Sequence, residues 1–311
     1  MLYAPTTAAA KREAFRAGLA SGRLLQFPGA FNPLSAKLIQ DKGFDGVYIS
    51  GAVVAADLGL PDIGLTTLTE VAGRARQIAR MTDLPALVDA DTGFGEAMNV
   101  ARTVQEFEDA GLAGCHIEDQ INPKRCGHLD GKAVVELGTA TQRLRSAADA
   151  RRDPNFLLMA RTDIRAVDGL DAAIDRAKAL VDAGADAIFP EAMRDLSEFE
   201  AIRRAVDVPL LANMTEFGKS ELFSARELED IGINMVIYPV TLLRSAMGAA
   251  ERTLDTIRTA GTQQPEVGLM QTRARLYELV DYEGYNRFDT AVFNFQVPGT
   301  GTGSTARTEG K

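Results

Sequence analysis

Eight short apolar runs of strand composition, each followed by a longer stretch of helical composition, constrain this chain more than any other feature. They are "LLQFPGAF" (24–31), "GVYISG" (46–51), "PALVDAD" (85–91), "GCHIED" (114–119), "FLLMART" (156–162), "AIFPEA" (187–192), "PLLANM" (209–214) and "MVIYPV" (235–240). Such alternation builds a parallel sheet covered by helices, because every parallel crossover needs a return of helix length. Eight units in about 240 residues predict an α/β fold, the closed (β/α)8 barrel of the TIM type. An open doubly wound sheet would carry a glycine-rich phosphate turn after its first strand, and "GAFNPLS" is not one. Local helix signals agree. Thr67 and Glu70 stand at capping-box spacing at the start of a helix over 66–81, and a helix over 168–183 ends on Gly184. Residues 1–290 are expected to form one barrel domain whose C-terminal extension is helical over 265–286. A Gly/Thr-rich, apolar-poor tail closes the chain, so 291–311 is expected to be disordered.

Each strand run is apolar at its start and polar at its end. Ser50, Asp89, Asp91, Glu118, Arg161, Glu191 and Asn213 all sit at the C-terminal ends, where barrels of this type build their active sites. Strand alternation puts Asp89 with Asp91, His116 with Glu118 and Phe189 with Glu191 on common faces. A solvated strand end explains any one of these; six strands doing it together point to a site. Two aspartates beside a glutamate on the neighbouring strand offer hard oxygen ligands, which favour Mg²⁺ over Zn²⁺ and relieve the repulsion between carboxylates. The plainer alternative is a structural network of these acids with Arg161 or with lysines. His116 and His128 lack the Cys/His spacing of a zinc site.

One loop has no apolar period to bury it. "KRCGHLDGK" (124–132) directly follows the fourth strand. Lys124, Arg125 and His128 suit the carboxylates of an anionic substrate, and cations beside a thiol lower its pKa, which makes Cys126 a usable acid or base. Gly127 and Gly131 allow the loop to close as a lid. An inert loop thiol is the alternative for Cys126. Cys115, out of phase with Glu118, is expected to pack between barrel and helix. Charge narrows the partners further. A net charge of −9 and a pI of about 5.0 disfavour nucleic acid and anionic membranes, leaving a small molecule. Two cysteines, no N-terminal apolar stretch of signal-peptide type and no apolar run of about 18 residues lead to an expected cytoplasmic protein without membrane attachment.

The ordered motifs "YISGA", "LGLPDIGLTTL", "LVDADTGFG", "GCHIEDQ", "KRCGH", "MARTD", "FPEA", "NMTEFG" and "YPVT" resemble the isocitrate lyase / phosphoenolpyruvate mutase superfamily over roughly residues 10–285. Within it the chain is most similar to the branch that cleaves 2-methylisocitrate. That resemblance implies a lyase splitting (2R,3S)-2-methylisocitrate into pyruvate and succinate, in the methylcitrate cycle of propionate catabolism. It implies Mg²⁺, with Mn²⁺ as the alternative ion, held by Asp89, Asp91 and, through water, Glu118. Cys126 is implied as proton donor, His128 and Asp62 as further catalytic positions, and Tyr48 as a candidate base. Ser50, Gly51, Ala52, Gly127, Arg161, Glu191, Asn213, Thr215 and Arg244 are implied to contact the tricarboxylate substrate. A homotetramer, a dimer of dimers in which the last barrel helix is swapped, is implied as well.

Two departures bear on the substrate. Ala52 replaces a third glycine of many relatives, and "HLDGK" is nearer to isocitrate lyases. Those enzymes are longer and carry a tryptophan where this chain has "FP", and the chain contains no tryptophan. Phe189, Pro190 and Ile237 are expected to form an apolar corner for the substrate methyl, worth about 1–3 kcal/mol of discrimination. The alternatives are an isocitrate lyase or a member acting on oxaloacetate or phosphonates, which generally lack the lid cysteine. A catalytically dead scaffold barrel would have lost Asp89, Asp91 or Cys126, and all three are present.

Overall fold

A computed structural model describes residues 2–125, 127 and 131–295 of the chain. Cys126, His128 and the tail from 296 onward lie outside the described residues. The contacts divide the chain into two compact units, Tyr3–Met270 and a smaller one formed by the segment from Gln271 onward with residue 2.

In the larger unit the elements run α1 (Ala8–Ala20), β1 (Leu25–Pro28), α2 (Pro33–Asp41), β2 (Val47–Ile49), α3 (Gly51–Asp57), α4 (Leu68–Ala79), β3 (Ala86–Asp89), α5 (Ala97–Asp109) and β4 (Gly114–Glu118). They continue through α6 (Leu137–Ala150), β5 (Leu157–Thr162), α7 (Arg165–Asp182), β6 (Ala187–Pro190), α8 (Leu196–Ala205), β7 (Leu211–Asn213), α9 (Ala225–Asp230), β8 (Met235–Tyr238) and α10 (Thr241–Ala260), then a 3₁₀ turn over Gln264–Leu269. All eight expected strands are present, each inside its apolar run, and every pairing is parallel. Strands β2 to β6 form one ladder and β1-β8-β7 another. Single bridges at Gly29–Tyr48 and Ile188–Leu210 join the two ladders, so the eight strands close into a barrel.

Side-chain alternation sorts the strands into an inside and an outside. Inward residues Leu25, Phe27, Leu87, Leu157, Met159, Leu211 and Met235 cluster with Phe15 and Leu19 of α1, which therefore plugs the N-terminal end of the barrel. Outward residues pack against helix stripes such as Val100, Val104 and Phe107 of α5, spaced for one helical face. Cys115 belongs to this outer layer, as expected. Thr67 caps α4 in a full capping box with Glu70. Helix α7 starts before the predicted 168, but Gly169 has a non-helical backbone (φ 89°), so its regular part begins after that glycine. One helix behaves differently: none of the 20 residues of α10 is buried.

The extension predicted as one helical stretch over 265–286 is instead broken. Pro265 sits in the first turn of the 3₁₀ segment, and the smaller unit holds α11 (Arg273–Leu279) and α12 (Tyr282–Phe293). Asp281 separates them with φ 55°, a left-handed residue that cannot continue a helix, and its carboxylate caps Gly284 N–H at 3.2 Å.

Candidate active site

The apolar inward residues give way at the C-terminal ends of the strands to polar ones. Tyr48 and Ser50 from β2 and its end, Asp89 from β3, Arg161 from β5, Phe189 and Glu191 from β6 and its end, Asn213 from β7 and Thr215 beyond it all line one cavity. Ala52, Asp62, Lys124, Gly127, Pro239 and Val240 complete its wall. The cavity measures about 50 Å³. That is room for a few waters, not for a tricarboxylate.

At the end of β3 the chain turns sharply. Asp91 takes a left-handed backbone (φ 47°), and its N–H donates to Asp89 Oδ1 at 2.9 Å. Gly51 N–H donates to Asp89 Oδ2 at 3.2 Å. A Cβ at residue 51 would stand 3.0 Å from that oxygen and 3.1 Å from Asp91 Oδ1, so a side chain there would push the two carboxylates back by a few tenths of an ångström. Burial raises the Asp91 carboxyl to about 6, against the pull of Lys124 and with Asp89 adding to the rise. Burial likewise pushes Glu118 well above the ordinary carboxylate range, with Arg161 and Lys124 opposing.

The sequence leaves a network of these acids with Arg161 or lysines as the plainer alternative, and the fold pairs a lysine with them. Lys124 Nζ lies 2.5 Å from Asp62 Oδ1 and 2.7 Å from Asp91 Oδ1, with its side chain 2% exposed. In this geometry its ammonium serves the acids, whereas the sequence reading placed it on a substrate carboxylate. The partners are far apart in sequence, so only the barrel brings them together.

Arg161 is held in an acidic cup. Its Nε and Nη2 donate to Asp163 at 3.0 and 3.2 Å, Nη1 faces Glu118 at 3.3 Å, and Nη2 faces Glu191 at 3.3 Å. Burial disfavours its charge, but Asp163, Glu118 and Glu191 outweigh that and hold it firmly protonated. Asn213 Nδ2 reaches Glu191 at 3.3 Å, and Phe189 lies under the guanidinium with its centroid 5.2 Å away. Behind the cup stand residues that sequence reasoning missed. Asp163 N–H donates to Asp119 Oδ1 at 2.9 Å, Thr162 and Arg176 donate to Asp119 Oδ2, and Lys132 Nζ meets Asp163 Oδ1 at 2.8 Å. The signal for Asp163 lay in the quoted "MARTD", two residues beyond Arg161.

Tyr48 lines the cavity, backed by His116. The phenol and Nε2 are 2.7 Å apart, the rings stack at 5.8 Å, and His116 Nδ1 lies 3.7 Å from Asp89 Oδ1. Burial lowers His116 to about 4, so it is a neutral imidazole, and burial with Asp89 next in weight raises the Tyr48 phenol.

Other expected residues fall differently. Arg125 donates to the carbonyls of Pro123 and Lys124 and stays on its own loop. Arg244 pairs with Glu216 Oε2 at 2.7 Å and Thr215 at 3.2 Å; it lines a separate groove of about 960 Å³ with Phe217 and Met247. Of the expected apolar corner only Phe189 faces the cavity. Pro190 and Ile237 do not line it, whereas Pro239 and Val240 do, because the chain beyond β8 turns over the barrel mouth.

Among the described residues no group of three or more His, Cys, Asp and Glu side chains gathers at metal-binding distance. The donor set nonetheless fits a hard cation. Both Glu118 oxygens are buried without a hydrogen-bond donor, and Asp89 and Asp91 add further oxygens nearby. Also among the described residues, no helix is long and apolar enough to cross a membrane.

Residues 15–258 match the family model described as phosphoenolpyruvate phosphomutase. A protein of Corynebacterium glutamicum named "Probable 2-methylisocitrate lyase 2" is 62% identical over 287 residues, covering 92% of this chain and 94% of that one. The structure of an oxaloacetate acetylhydrolase with 3,3-difluorooxalacetate superposes with TM-score 0.87 at 33% identity, covering 93% of this chain and 99% of that one. A phosphonopyruvate hydrolase complexed with oxalate and Mg²⁺ gives TM-score 0.81 at 29% identity, covering 92% and 99%.

Proposed function

The chain belongs to the phosphoenolpyruvate phosphomutase family and is a carbon–carbon lyase, and from that premise we propose that it cleaves 2-methylisocitrate into pyruvate and succinate in propionate catabolism. The observation that carries the substrate is the 62% identity across 92% of the chain to a relative of that name, against about a third for the relatives named for oxaloacetate or phosphonopyruvate. An apolar wall at Phe189, Pro239 and Val240 supports it, since the substrate's extra methyl needs such a surface.

Cleavage removes the C2 hydroxyl proton, breaks the C2–C3 bond to leave a ketone at C2, and puts the electron pair on C3, which is then protonated. Asp89, Asp91 and Glu118 would hold the divalent cation, Mg²⁺ by the donor set, which when bound stabilises the oxyanion and the forming 2-oxo acid. Arg161, charged and fixed by three carboxylates, offers its guanidinium edge to a substrate carboxylate; Ser50, Asn213 and Thr215 supply neutral donors around the same cavity. Tyr48 is a neutral phenol, so it accepts the hydroxyl proton only while passing its own to His116 Nε2, 2.7 Å away. Protonation of C3 falls to Cys126, whose loop neighbours Arg125 and His128 are the cations in sequence that keep a thiol acidic. The small cavity requires the loop bearing Lys124 and Gly127 to move for substrate to enter.

The largely exposed α10 supports a helix-swapped homotetramer, because a 20-residue barrel helix with no fully buried residue leaves surface that a second copy would cover. The catalytic reading is tested by following pyruvate and glyoxylate release from 2-methylisocitrate and isocitrate in parallel, with Mg²⁺ and with chelator. Chelator-sensitive pyruvate release in large excess is expected. Predominant glyoxylate would instead make the chain an isocitrate lyase, and silence on both would overturn the proposal.

A further inference from the structure

Lys132 has no role in the chemistry above, yet its side chain is only 2% exposed. Its ammonium donates to two acceptors that belong to different parts of the site: the backbone carbonyl of Gly127 and Oδ1 of Asp163, the latter at 2.8 Å. Asp163 is the carboxylate that grips Arg161 through both Nε and Nη2. Gly127 in turn lies directly against the same guanidinium. A Cβ there would stand 2.5 Å from Arg161 Nη2 and 2.6 Å from the Glu191 carboxyl carbon, a fit that only a bare backbone achieves.

Charge completes the picture. Without Lys132 the cup would hold one guanidinium against Asp163, Glu118 and Glu191, a net excess of acid where a substrate carboxylate has to bind. With it, a second cation offsets Asp163 from the far side and leaves more of the Arg161 charge for an anion.

We propose that Lys132 is a positioning residue, which ties the seating of Gly127 to the orientation and free charge of Arg161 so that loop and guanidinium are set as one unit. In its kinetic arm this rests on the 2-methylisocitrate reading. If Lys132 acts by seating Gly127, then Gly127→Ala already destroys what Lys132 maintains, and the two substitutions must fail to multiply. The experiment is a double-mutant cycle with Lys132→Met and Gly127→Ala on 2-methylisocitrate, with amide exchange of the 124–132 segment measured in parallel.

Each single variant is expected to lose about tenfold or more in kcat/KM, Lys132→Met mainly through a raised KM, and the double variant to lose no more than about threefold beyond the worse single one. Exchange in 124–132 is expected to quicken in Lys132→Met while the barrel strands keep their protection. Multiplying losses, an unchanged KM, unchanged exchange or loosening of the whole barrel would each overturn the proposal. Should Lys132→Met fail to fold, Lys132→Gln, which keeps an N–H donor group without the charge, takes its place, and failure of both makes Lys132 a folding residue and sinks the idea. Exchange reads no turnover, so an inactive wild type would defeat the substrate reading while leaving the Lys132 tie measurable.

Discussion

Replacing Lys124 with methionine keeps the volume of the side chain and removes the ammonium that stands 2.5 Å from Asp62 and 2.7 Å from Asp91. At an effective dielectric of about 20 each contact carries on the order of 6 kcal/mol of attraction, most of it cancelled by the cost of taking the charges out of water. What remains is the penalty of stranding a buried carboxylate. Asp91 is 8% exposed in its side chain and regains little hydration, whereas Asp62, at 19%, recovers more. The loss should therefore sit near the lower end of the range for broken buried pairs, about 3 kcal/mol, or about 6–12 °C in the apparent Tm of a unit this size. A divalent cation among the same acids replaces the missing charge in the variant, whereas in wild type it competes with the Lys124 ammonium, so Mg²⁺ stabilises the variant more than wild type. Thermal unfolding of wild type and Lys124→Met, in chelator and in Mg²⁺, is the assay. The gap between the two proteins should be wide in chelator and at least halved in Mg²⁺. An equal gap in both conditions would refute the claim that Lys124 stands as the counter-charge of a cation site, and no gap in either would refute the ion pairs themselves.

Other outcomes follow from the same geometry. Cys126→Ser is expected to bind 2-methylisocitrate with a KM near wild type and lose most of its kcat; a near-wild-type kcat would remove the thiol from the proton-transfer step. His116, held at about 4 against its usual 6.5, takes up a proton in the unfolded chain first, so the stability it confers is complete above 6.5 and is lost as pH falls toward 4, by about 3 kcal/mol. Asp91 runs the other way, since its raised value of about 6 means the folded chain gains that proton first; comparing urea unfolding of wild type and His116→Gln across pH 7 to 4.5 isolates the histidine, and parallel curves would contradict its assignment as a neutral imidazole. Because a metal must displace the Asp91 proton, Mg²⁺ affinity measured by calorimetry should fall steeply, by about tenfold per pH unit or more, below about 6. A flat profile down to pH 5 would place the ion elsewhere.

The barrel was legible because its strands announce themselves locally. An apolar run that turns polar at one end, as in "PALVDAD" or "FLLMART", encodes both the strand and the mouth of the barrel, and Asp89, Arg161, Glu191 and Asn213 were readable from that texture alone. Contacts made across the fold were not readable. Lys124 meets Asp62 and Asp91 from separate loops, Lys132 meets Asp163 across 31 positions, and Asp119 anchors that aspartate from the end of another strand. The direction of Arg244 was not readable either, because its place in the chain does not say that Glu216 and Thr215 hold its guanidinium beside the outer groove. The break at Asp281 went unread since an aspartate with φ above zero leaves no mark in an otherwise helical composition.

The two places where the barrel ladder narrows to a single bridge divide its mouth into territories. Asp89, Glu118 and Arg161 all rise from the continuous five-stranded ladder, while Asn213, Thr215, Pro239 and Val240 come from or follow the three-stranded one. The acids and Arg161 thus sit on one piece of hydrogen-bonded sheet together with Phe189, and the rest of the apolar wall follows the other, the two being in contact through Asn213 and Glu191. A lineage could then exchange one substrate for another by repacking the smaller ladder and its loops while the bond-breaking acids keep their register. For anyone redesigning this scaffold, diversity introduced after β7 and β8 should change what is cleaved, and diversity after β3 to β5 should mostly abolish cleavage.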